Sequence, residues 1–298
     1  MEQGTLWARI RTTTEHALRS GALLPIRTNQ AVIEEAGLRY FVRVLESLKR
    51  KDQARKNQDP APEQAKAADP FLPPERDLTV GPVSDTHVAV LNKYNVVENH
   101  LLIVTRRFEE QTLLLTQADF DALWLCMSEY ESLGFYNGGS EAGASQRHKH
   151  LQAVPLPLGA DGPAVPTEPL FPPAPAGEVT SVSRFPFLNV FARLDPALAG
   201  SPVAASRVSY GLYGRMLVRA GMQAPVPGEA TPQSRPYCLL MTRAWMLLVP
   251  RSQEFIDGIS LNALAFAGSF FVRDREQLEL LRQRGVMKAL AEVSVPAR

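Results

Sequence analysis

The stretch GASQRHKHLQ, residues 143–152, places His148, His150 and Gln152 at every second position, directly behind a short Gly/Ser segment. On a β-strand, side chains at positions i, i+2 and i+4 share one face, so these three polar groups are expected to point together. The two residues between them are expected to point to the opposite face. This segment therefore predicts a strand on which three polar side chains converge.

The residues alone leave three uses of this pattern open. A zinc site needs three or four ligands, and the remaining histidines, His16, His87 and His100, could reach the motif only through the fold. A neutral imidazole could instead attack phosphorus, with backbone N–H groups of the small upstream residues and the Gln152 amide donating to phosphate oxygens. In the third use, the two histidines merely satisfy hydrogen bonds in the core. The spacing favours the second use over a metal site.

Composition is that of an ordinary globular protein. The chain has 298 residues, 45% of them hydrophobic and 21% charged, which is enough for one large domain or two smaller ones. A net charge of +1 does not support a nucleic-acid scaffold or a membrane-surface protein. No signal peptide pattern and no stretch of roughly 20 apolar residues is visible, so a cytoplasmic protein is expected. Cys126 and Cys238 have apolar neighbours and are expected to be buried packing residues.

Hydrophobic periodicity predicts an α+β protein. Two amphipathic helices are predicted within the first 50 residues, the second of them over GLRYFVRVLESLKRK. Residues 51–77 carry charge, Ala and Pro, which is typical of an exposed loop. Short β-branched runs in residues 78–108 predict two or three antiparallel strands that lead toward the motif.

The segment before the motif predicts a helix and then a loop. Thr116 is the expected N-cap, Asp119 three residues later forms an imperfect capping box, and the helix is predicted to extend to about Leu133. The glycines of FYNGGSEAGASQ, residues 135–146, predict a loop.

A proline-rich crossover, residues 155–175, separates an N-terminal part, residues 1–160, from a C-terminal part, residues 161–298. The two parts are expected to pack as one compact unit. The predicted elements of the second part are a strand in SRFPFLNVFARL, a helix near VSYGLYGRMLVRAGM, strands in PYCLLMTRAWMLLVPRS, and a final helix with Asp274 as N-cap and an interruption at Gly285.

Four motifs, in order along the chain, resemble those of one family. G-A-S-Q-x-H-x-H-x-Q resembles the signature of the transferase branch of the histidine-triad superfamily, and specifically that of diadenosine tetraphosphate phosphorylases, also called ATP adenylyltransferases. LNKYNVVENHLLIVT, residues 91–105, resembles the family's Asn-Lys strand pair and its His-x-Leu segment, and FYNGGSEAGASQ resembles its nucleotide loop. TRAWMLLVPRS and SLNALAFAGSFFVRD, residues 260–274, resemble its C-terminal half, so the similarity covers most of residues 38–290.

The resemblance implies a fold and a reaction. The fold is a histidine-triad-like antiparallel sheet with flanking helices, elaborated by a C-terminal, ATP adenylyltransferase-like half. His150 would attack the α-phosphorus of diadenosine tetraphosphate, expel ATP and carry AMP, which phosphate would then remove as ADP. His148 would orient the phosphates or the nucleophile, and Gln152 would bind the α-phosphate. Related hydrolases carry a third histidine at this position, whereas an amide cannot act as a general base, so Gln152 favours phosphate over water as acceptor.

The resemblance also implies a set of nucleotide-contacting positions. They are Lys51, Asn92, Lys93, Asn137, Gly143, Ala144, Ser145, Gln146, Gln152, Asn262, Ala263, Leu264, Ser269 and Arg273. Lys93 and His100 also fit simpler interpretations, as a solvated lysine and a hydrogen-bonded histidine at strand ends. Arg147 stands where proline is frequent in the family, and whether it contacts substrate or solvent stays open.

No cofactor and no metal ligand is firmly implied, although a divalent cation such as Mg²⁺ could accompany the polyphosphate. The expected partners are small molecules, namely a dinucleoside polyphosphate, phosphate, ATP and ADP, with neither nucleic acid nor membrane; the oligomeric state is open. Two alternatives remain. One is another histidine-triad nucleotidyl transfer of the galactose-1-phosphate uridylyltransferase type, and the other is a nucleotide-binding protein without catalysis.

Overall fold

A nine-stranded antiparallel sheet forms the centre of the molecule. The computed structural model describes residues 4–45 and 69–297. The strands of this sheet are β3 (Thr79–Pro82), β4 (His87–Leu91), β5 (Leu101–Thr105), β6 (Ser132–Gly138), β7 (His150–Pro155), β8 (Val179–Thr180), β9 (Val190–Arg193), β10 (Tyr237–Met241) and β11 (Trp245–Pro250). Their order across the sheet is β3-β4-β5-β7-β6-β10-β11-β9-β8. Strand β7, which begins within the motif, therefore lies between β5 and β6, away from both sheet edges.

A smaller sheet and a hairpin complete the β-structure. The small sheet has the order β1-β2-β14, with β1 and β2 antiparallel and β14 parallel to β2. The bounds are β1 (Thr28–Glu35), β2 (Leu38–Leu45) and β14 (Ser269–Val272), and the hairpin consists of β12 (Phe255–Ile256) and β13 (Ile259–Ser260). The small sheet thus joins the beginning of the chain to its C-terminal part.

Helices cover both faces of the large sheet. They are α1 (Leu6–Ser20), α2 (Gln117–Met127), α3 (Pro202–Arg219), α4 (Ala263–Phe266), α5 (Arg275–Arg284) and α6 (Val286–Glu292). Helices α2 and α3 pack against each other and against one face, α4 contacts β6 and β10, and α5 packs on the small sheet. In the described part of the chain, no helix is both long enough and apolar enough to cross a bilayer.

Strand β10 shows how the sheet separates two cores. Tyr237, Leu239 and Met241 belong to the cluster that contains the α2 and α3 residues, whereas Cys238 and Leu240 belong to the cluster on the other face. All five side chains are buried, because successive residues of a strand point to opposite faces and both faces are covered. Because both faces of the sheet are covered, β10 and β11 are continuous apolar runs instead of alternating apolar and polar residues.

The predicted second helix is wrong, since Leu38–Leu45 forms strand β2. Ala36 and Gly37 both have positive φ, of 50° and 79°, which is the backbone of a tight two-residue hairpin turn. The turn lets β2 pair with β1 in a register that starts at Glu35 opposite Leu38. Apolar residues at helical spacing over so short a run are ambiguous, and the pairing decides in favour of a strand.

Three further predictions extended too far. The helix after Thr116 has the expected capping box with Asp119, but it ends at Met127 because β6 begins at Ser132. The predicted loop over residues 135–146 likewise begins later, since β6 continues to Gly138. The strand predicted over residues 183–194 is confined to Val190–Arg193.

The exposed loop predicted over residues 51–77 falls partly outside the described residues, which resume at Asp69. Within the described part the prediction is wrong at Phe71, whose side chain is buried against His148 and His150. The other expectations are confirmed: helix α1, the strands β3 to β5, helix α3, the pair β10 and β11, the N-cap at Asp274, the break at Gly285, and buried Cys126 and Cys238.

Candidate active site

His150 opens strand β7 and is held as a single tautomer. Its Nδ1 lies 2.7 Å from the main-chain oxygen of His148. A carbonyl oxygen only accepts, so Nδ1 carries the proton and Nε2 carries the lone pair. Burial lowers the pKa of His150 to about 4, although the hydrogen bond to His148 partly opposes that shift. The imidazole is therefore neutral near pH 7, which is the form that can act as a nucleophile.

The side chain of Gln111 lies between strands β6 and β7 where the two strands diverge, and it bonds to the backbone of both. The paired register of these strands ends at Phe135 opposite Gln152. Beyond it, the Gln111 amide accepts from the His150 N–H at 2.8 Å and donates to the Asn137 carbonyl at 2.8 Å. It also donates to the His150 carbonyl at 3.3 Å. The buried Gln111 side chain thus takes the place of a β6 partner for the backbone of His150, and no sequence motif marks Gln111.

Both ring nitrogens of His148 are occupied. Nε2 donates to the Thr105 carbonyl at 2.7 Å, and Nδ1 lies 2.7 Å from the Asp69 carboxylate. The rings of Phe71 and Phe108 pack against the imidazole, which is 1% exposed. Because both ring nitrogens of His148 already have partners, its contact with His150 is made by the main-chain oxygen, which accepts from the His150 ring.

A chain of three polar side chains orients the Gln152 amide. Asn92 donates its amide to Nδ1 of His100 at 3.1 Å, and His100 in turn donates from Nε2 to Oε1 of Gln152 at 2.9 Å. Burial lowers the pKa of His100 to about 4, so the ring is neutral and has one donor and one acceptor nitrogen. Because Oε1 is taken, the Gln152 NH₂ group is the part free to donate to a ligand. The prediction that His100 is a hydrogen-bonded histidine at a strand end is therefore confirmed. One of its two hydrogen bonds orients the side chain of Gln152.

The alternation predicted for the motif is confirmed at Lys149, whose side chain points to the face opposite His150. Its ammonium, fully buried, lies 2.8 Å from Asp119 and 3.1 Å from Glu109. Burial acts to lower the pKa of Lys149, but the two carboxylates outweigh burial and raise it. Asp119 also caps helix α2. This ion-pair cluster ties the back of the motif strand to the start of α2.

The loop after β6 is clamped to the C-terminal part of the chain. Oδ1 of Asn137 accepts from the Ala263 N–H at 3.0 Å, while the buried Arg251 donates to the Ala142 carbonyl at 3.3 Å. Gly143 has φ of +93°, and a Cβ there would come within 2.7 Å of the Asn262 Cβ. A side chain at this position would be strained and would push the two segments apart.

The structure thus brings together one group of the predicted nucleotide-contacting residues. Asn137 and the loop lie against the start of helix α4, where Asn262 caps the helix by accepting from the Leu264 N–H at 3.0 Å. The same loop continues directly into the motif. The residues of this group are Asn137, Gly143, Ala144, Ser145, Gln146, Asn262, Ala263 and Leu264, of which Ser145 and Gln146 are exposed.

Three other predicted residues make contacts elsewhere. Lys93 forms an ion pair with Glu75 at 2.7 Å. The Ser269 hydroxyl accepts from Arg43 at 2.5 Å, and the Arg273 N–H donates to Gln277 at 2.9 Å. None of these three contacts within residues 4–45 and 69–297 is with a residue of the motif. Lys51 lies outside the described residues.

Arg147 faces the surface. Its guanidinium pairs with Glu110 and lies 6.0 Å from the centre of the Phe108 ring. The side chain is 81% exposed. The Phe108 ring it covers packs in turn on His148. Arg147 therefore packs on the outer side of the motif, in contact with solvent.

The two buried, neutral histidines make stability depend on pH. His100 and His150 have a pKa of about 4 in the folded protein, against about 6.5 in an unfolded chain. Between these values the unfolded state binds more protons, so we expect the free energy of unfolding to fall as the pH drops from about 6.5 to about 4. Each residue contributes at most about 3 kcal/mol. Urea unfolding across this range should show a weaker pH dependence for His100→Gln than for the wild type, and an unchanged dependence would contradict the assignment.

Two family models match consecutive parts of this sequence. Residues 1–173 match the model of the Ap4A phosphorylase N-terminal domain, and residues 183–296 match that of the ATP adenylyltransferase C-terminal domain. Diadenosine 5',5'''-P1,P4-tetraphosphate phosphorylase 2 of Saccharomyces cerevisiae is 27% identical over 82% of this chain and 79% of that protein. Protein APA1 of the same yeast is 27% identical over 72% of each chain.

Solved structures share the fold. The crystal structure of yeast Ap4A phosphorylase Apa2 has a TM-score of 0.78 at 22% identity and covers 99% of both chains. Its complex with Ap4A has a TM-score of 0.77 at the same identity and coverage. Because the N-terminal family model alone covers more than half of the sequence, and the C-terminal model follows it, the chain belongs to the Ap4A phosphorylase family.

Proposed function

We propose that this protein is a nucleotidyltransferase that cleaves diadenosine tetraphosphate with inorganic phosphate, giving ATP and ADP. The observation that carries the proposal is the neutral His150, whose proton is held on Nδ1 by the His148 carbonyl and whose lone pair is on Nε2. Gln152 lies two residues further on the same strand face. The family membership supports the substrate, since a yeast relative is named a diadenosine tetraphosphate phosphorylase and Apa2 has been crystallised with Ap4A and with AMP.

In the first half-reaction, Nε2 of His150 attacks the α-phosphorus. The bond between that phosphorus and the oxygen bridging to the β-phosphate breaks, and ATP leaves with the bonding electron pair. AMP stays bonded to the imidazole. In the second half-reaction, a phosphate oxygen attacks the same phosphorus, the P–N bond breaks, and ADP leaves while His150 recovers its lone pair. Dividing one displacement into two easier steps is the purpose of a covalent intermediate.

The surrounding groups supply positioning and charge stabilisation. The Gln152 NH₂ group, fixed by His100, would donate to an oxygen of the α-phosphate, where negative charge grows in the transition state. Backbone N–H groups of the loop from Gly143 to Gln146 would contact further phosphate oxygens. His148 would orient the nucleophile through its carbonyl, since its ring nitrogens are already engaged.

The choice of acceptor follows from the chemistry of Gln152. Water must lose a proton when it attacks phosphorus, and an amide cannot take that proton. Phosphate is already an anionic nucleophile, and the polyphosphate leaving group needs little protonation. We therefore expect phosphorolysis to outpace hydrolysis.

Some assignments remain predictions within this proposal. Nucleotide contacts of Lys51, Asn92, Lys93, Ser269 and Arg273 belong here, together with the division at residue 160 and a cytoplasmic location. Substrate binding would have to bring Lys93 away from Glu75 for it to reach a phosphate.

A product assay tests the proposed function. The protein is incubated with diadenosine tetraphosphate, with and without phosphate, and the nucleotides are separated. ATP and ADP that form only when phosphate is present are the expected result. AMP and ATP in phosphate-free buffer would indicate hydrolysis, and no turnover would indicate a nucleotide-binding protein. Turnover of UDP-glucose with galactose 1-phosphate instead would indicate the uridylyltransferase chemistry.

A further inference from the structure

We infer that Asp69 is a positioning residue for the nucleophile, acting through His148. The inference rests on the proposed function and adds to it a carboxylate that neither the motif nor its neighbourhood in sequence contains. Asp69 lies 79 positions before His148, in the stretch that composition alone predicts to be an exposed loop.

The Asp69 carboxylate is held in place on both of its oxygens. Oδ2 lies 2.7 Å from Nδ1 of His148, and Oδ1 accepts from the Phe71 N–H at 2.9 Å. The Leu72 N–H donates to the Asp69 carbonyl at 3.3 Å, which closes a tight turn. With a side chain only 23% exposed, Asp69 presents a fixed carboxylate rather than a mobile surface charge.

The turn contacts both catalytic histidines. The Phe71 ring centre is 5.6 Å from the ring centres of His148 and His150, with an edge-on geometry to the first. Asp69 binds one imidazole and fixes the backbone of the aromatic residue that packs on the other. Movement of this turn would therefore disturb both rings together.

The hydrogen-bond direction shows what Asp69 does for His148. The Thr105 carbonyl can only accept, so Nε2 of His148 carries a proton. A lone pair on Nδ1 would face carboxylate lone pairs at 2.7 Å, so a proton lies between Nδ1 and Asp69 as well. The ring is thus anchored at both ends, and its residue cannot rotate without breaking a charge-assisted hydrogen bond.

The anchored residue supplies the acceptor that sets the nucleophile. The His148 main-chain oxygen receives the proton of His150 Nδ1 at 2.7 Å, which leaves the lone pair on Nε2. Asp69, His148 and His150 therefore form a series in which the carboxylate holds the first histidine and the first histidine holds the second. This arrangement uses a main-chain oxygen where a serine protease triad uses a carboxylate directly.

The test is Asp69→Asn, which keeps the shape of the side chain but removes its charge. Adenylylation of the full-length protein is followed in a single turnover at saturating diadenosine tetraphosphate, with nucleotide affinity measured separately. We expect the rate of adduct formation to fall roughly 10²-fold, the cost of a small misplacement of a reacting group, while affinity changes little. A purely structural role would instead lower the thermal midpoint and the affinity together.

Asp77→Asn is the matched control, because Asp77 is an exposed carboxylate that also pairs with a histidine, His16. It should adenylylate at the wild-type rate. An Asp69→Asn protein that also reacts at the wild-type rate would overturn the inference. If the wild type itself forms no adduct, the proposed function fails instead, so the two failures are distinguishable.

Two measurements keep the inference testable if Asp69→Asn does not fold. Asp69→Glu retains the charge but displaces the carboxylate by one methylene, and the same loss of adduct formation with retained affinity is expected. In the wild type, ¹⁵N-edited NMR of labelled histidines should show the His150 proton on Nδ1. A wild-type rate in Asp69→Glu, or a His150 proton on Nε2, would overturn the inference.

Discussion

His150→Gly is expected to abolish the covalent intermediate. The variant removes the only imidazole of the motif with a free nitrogen lone pair, because both nitrogens of His148 are engaged by Thr105 and Asp69. We expect phosphorolysis to fall by at least about 10⁴-fold, since the loss of a nucleophile is not compensated by the binding groups that remain. Intact mass spectrometry after rapid quenching at alkaline pH, where a phosphoramidate survives, measures the adduct directly.

His16→Gly is the appropriate control for His150→Gly. His16 is an exposed histidine on α1 whose Nε2 lies 3.2 Å from the Asp77 carboxylate. Its removal should leave adduct formation and turnover unchanged. An AMP adduct that persists in His150→Gly would remove His150 from the role of nucleophile, and peptide mapping would then locate the residue that carries it.

Gln152→His is expected to change the acceptor. Histidine can take a proton from water, whereas the amide cannot, and general-base assistance is typically worth about 10²- to 10⁴-fold. We therefore expect the ratio of hydrolysis to phosphorolysis to rise by roughly 10²-fold. His100 would remain within reach of the new imidazole, since its Nε2 lies 2.9 Å from the present Gln152 oxygen.

The measurement is the yield of AMP relative to ADP at several phosphate concentrations. Gln223→His serves as the control, because it introduces the same imidazole at an exposed position away from β7. An unaltered AMP to ADP ratio in Gln152→His would mean that the amide does not select the acceptor. Proton uptake would then have to occur elsewhere in the site, or water would have to be excluded by packing alone.

The two variants report on different halves of the reaction. We expect His150→Gly to prevent the P–N bond from forming, whereas we expect Gln152→His to change how an adduct that still forms is divided between water and phosphate. Asp69→Asn should slow the first half without redirecting the second, because it leaves the Gln152 amide and its partner His100 untouched.

The sequence by itself determined the local features of this protein. A period of two identified the common face of the motif, and Lys149 on the opposite face confirms it. Capping residues identified the starts of α2 and α5 at Thr116 and Asp274. These signals are readable because each depends on residues only a few positions apart. Where two local patterns were both compatible with the sequence, as over Leu38–Leu45, strand pairing made the choice.

Only the tertiary structure decided which side chains support the motif. Asp69 meets His148 across 79 positions, Gln111 meets His150 across 39, and His100 meets Gln152 across 52. Asp69 and Gln111 have no local pattern that distinguishes them from ordinary polar residues, and the sequence indicated for His100 only a hydrogen bond at a strand end. Their roles arise because the fold buries them beside unsatisfied donors and acceptors, and a buried polar group must find a partner. The resemblance of the motif to a known family therefore implies that His150 is the nucleophile, whereas the tautomer of His150 depends on contacts that exist only in the folded chain.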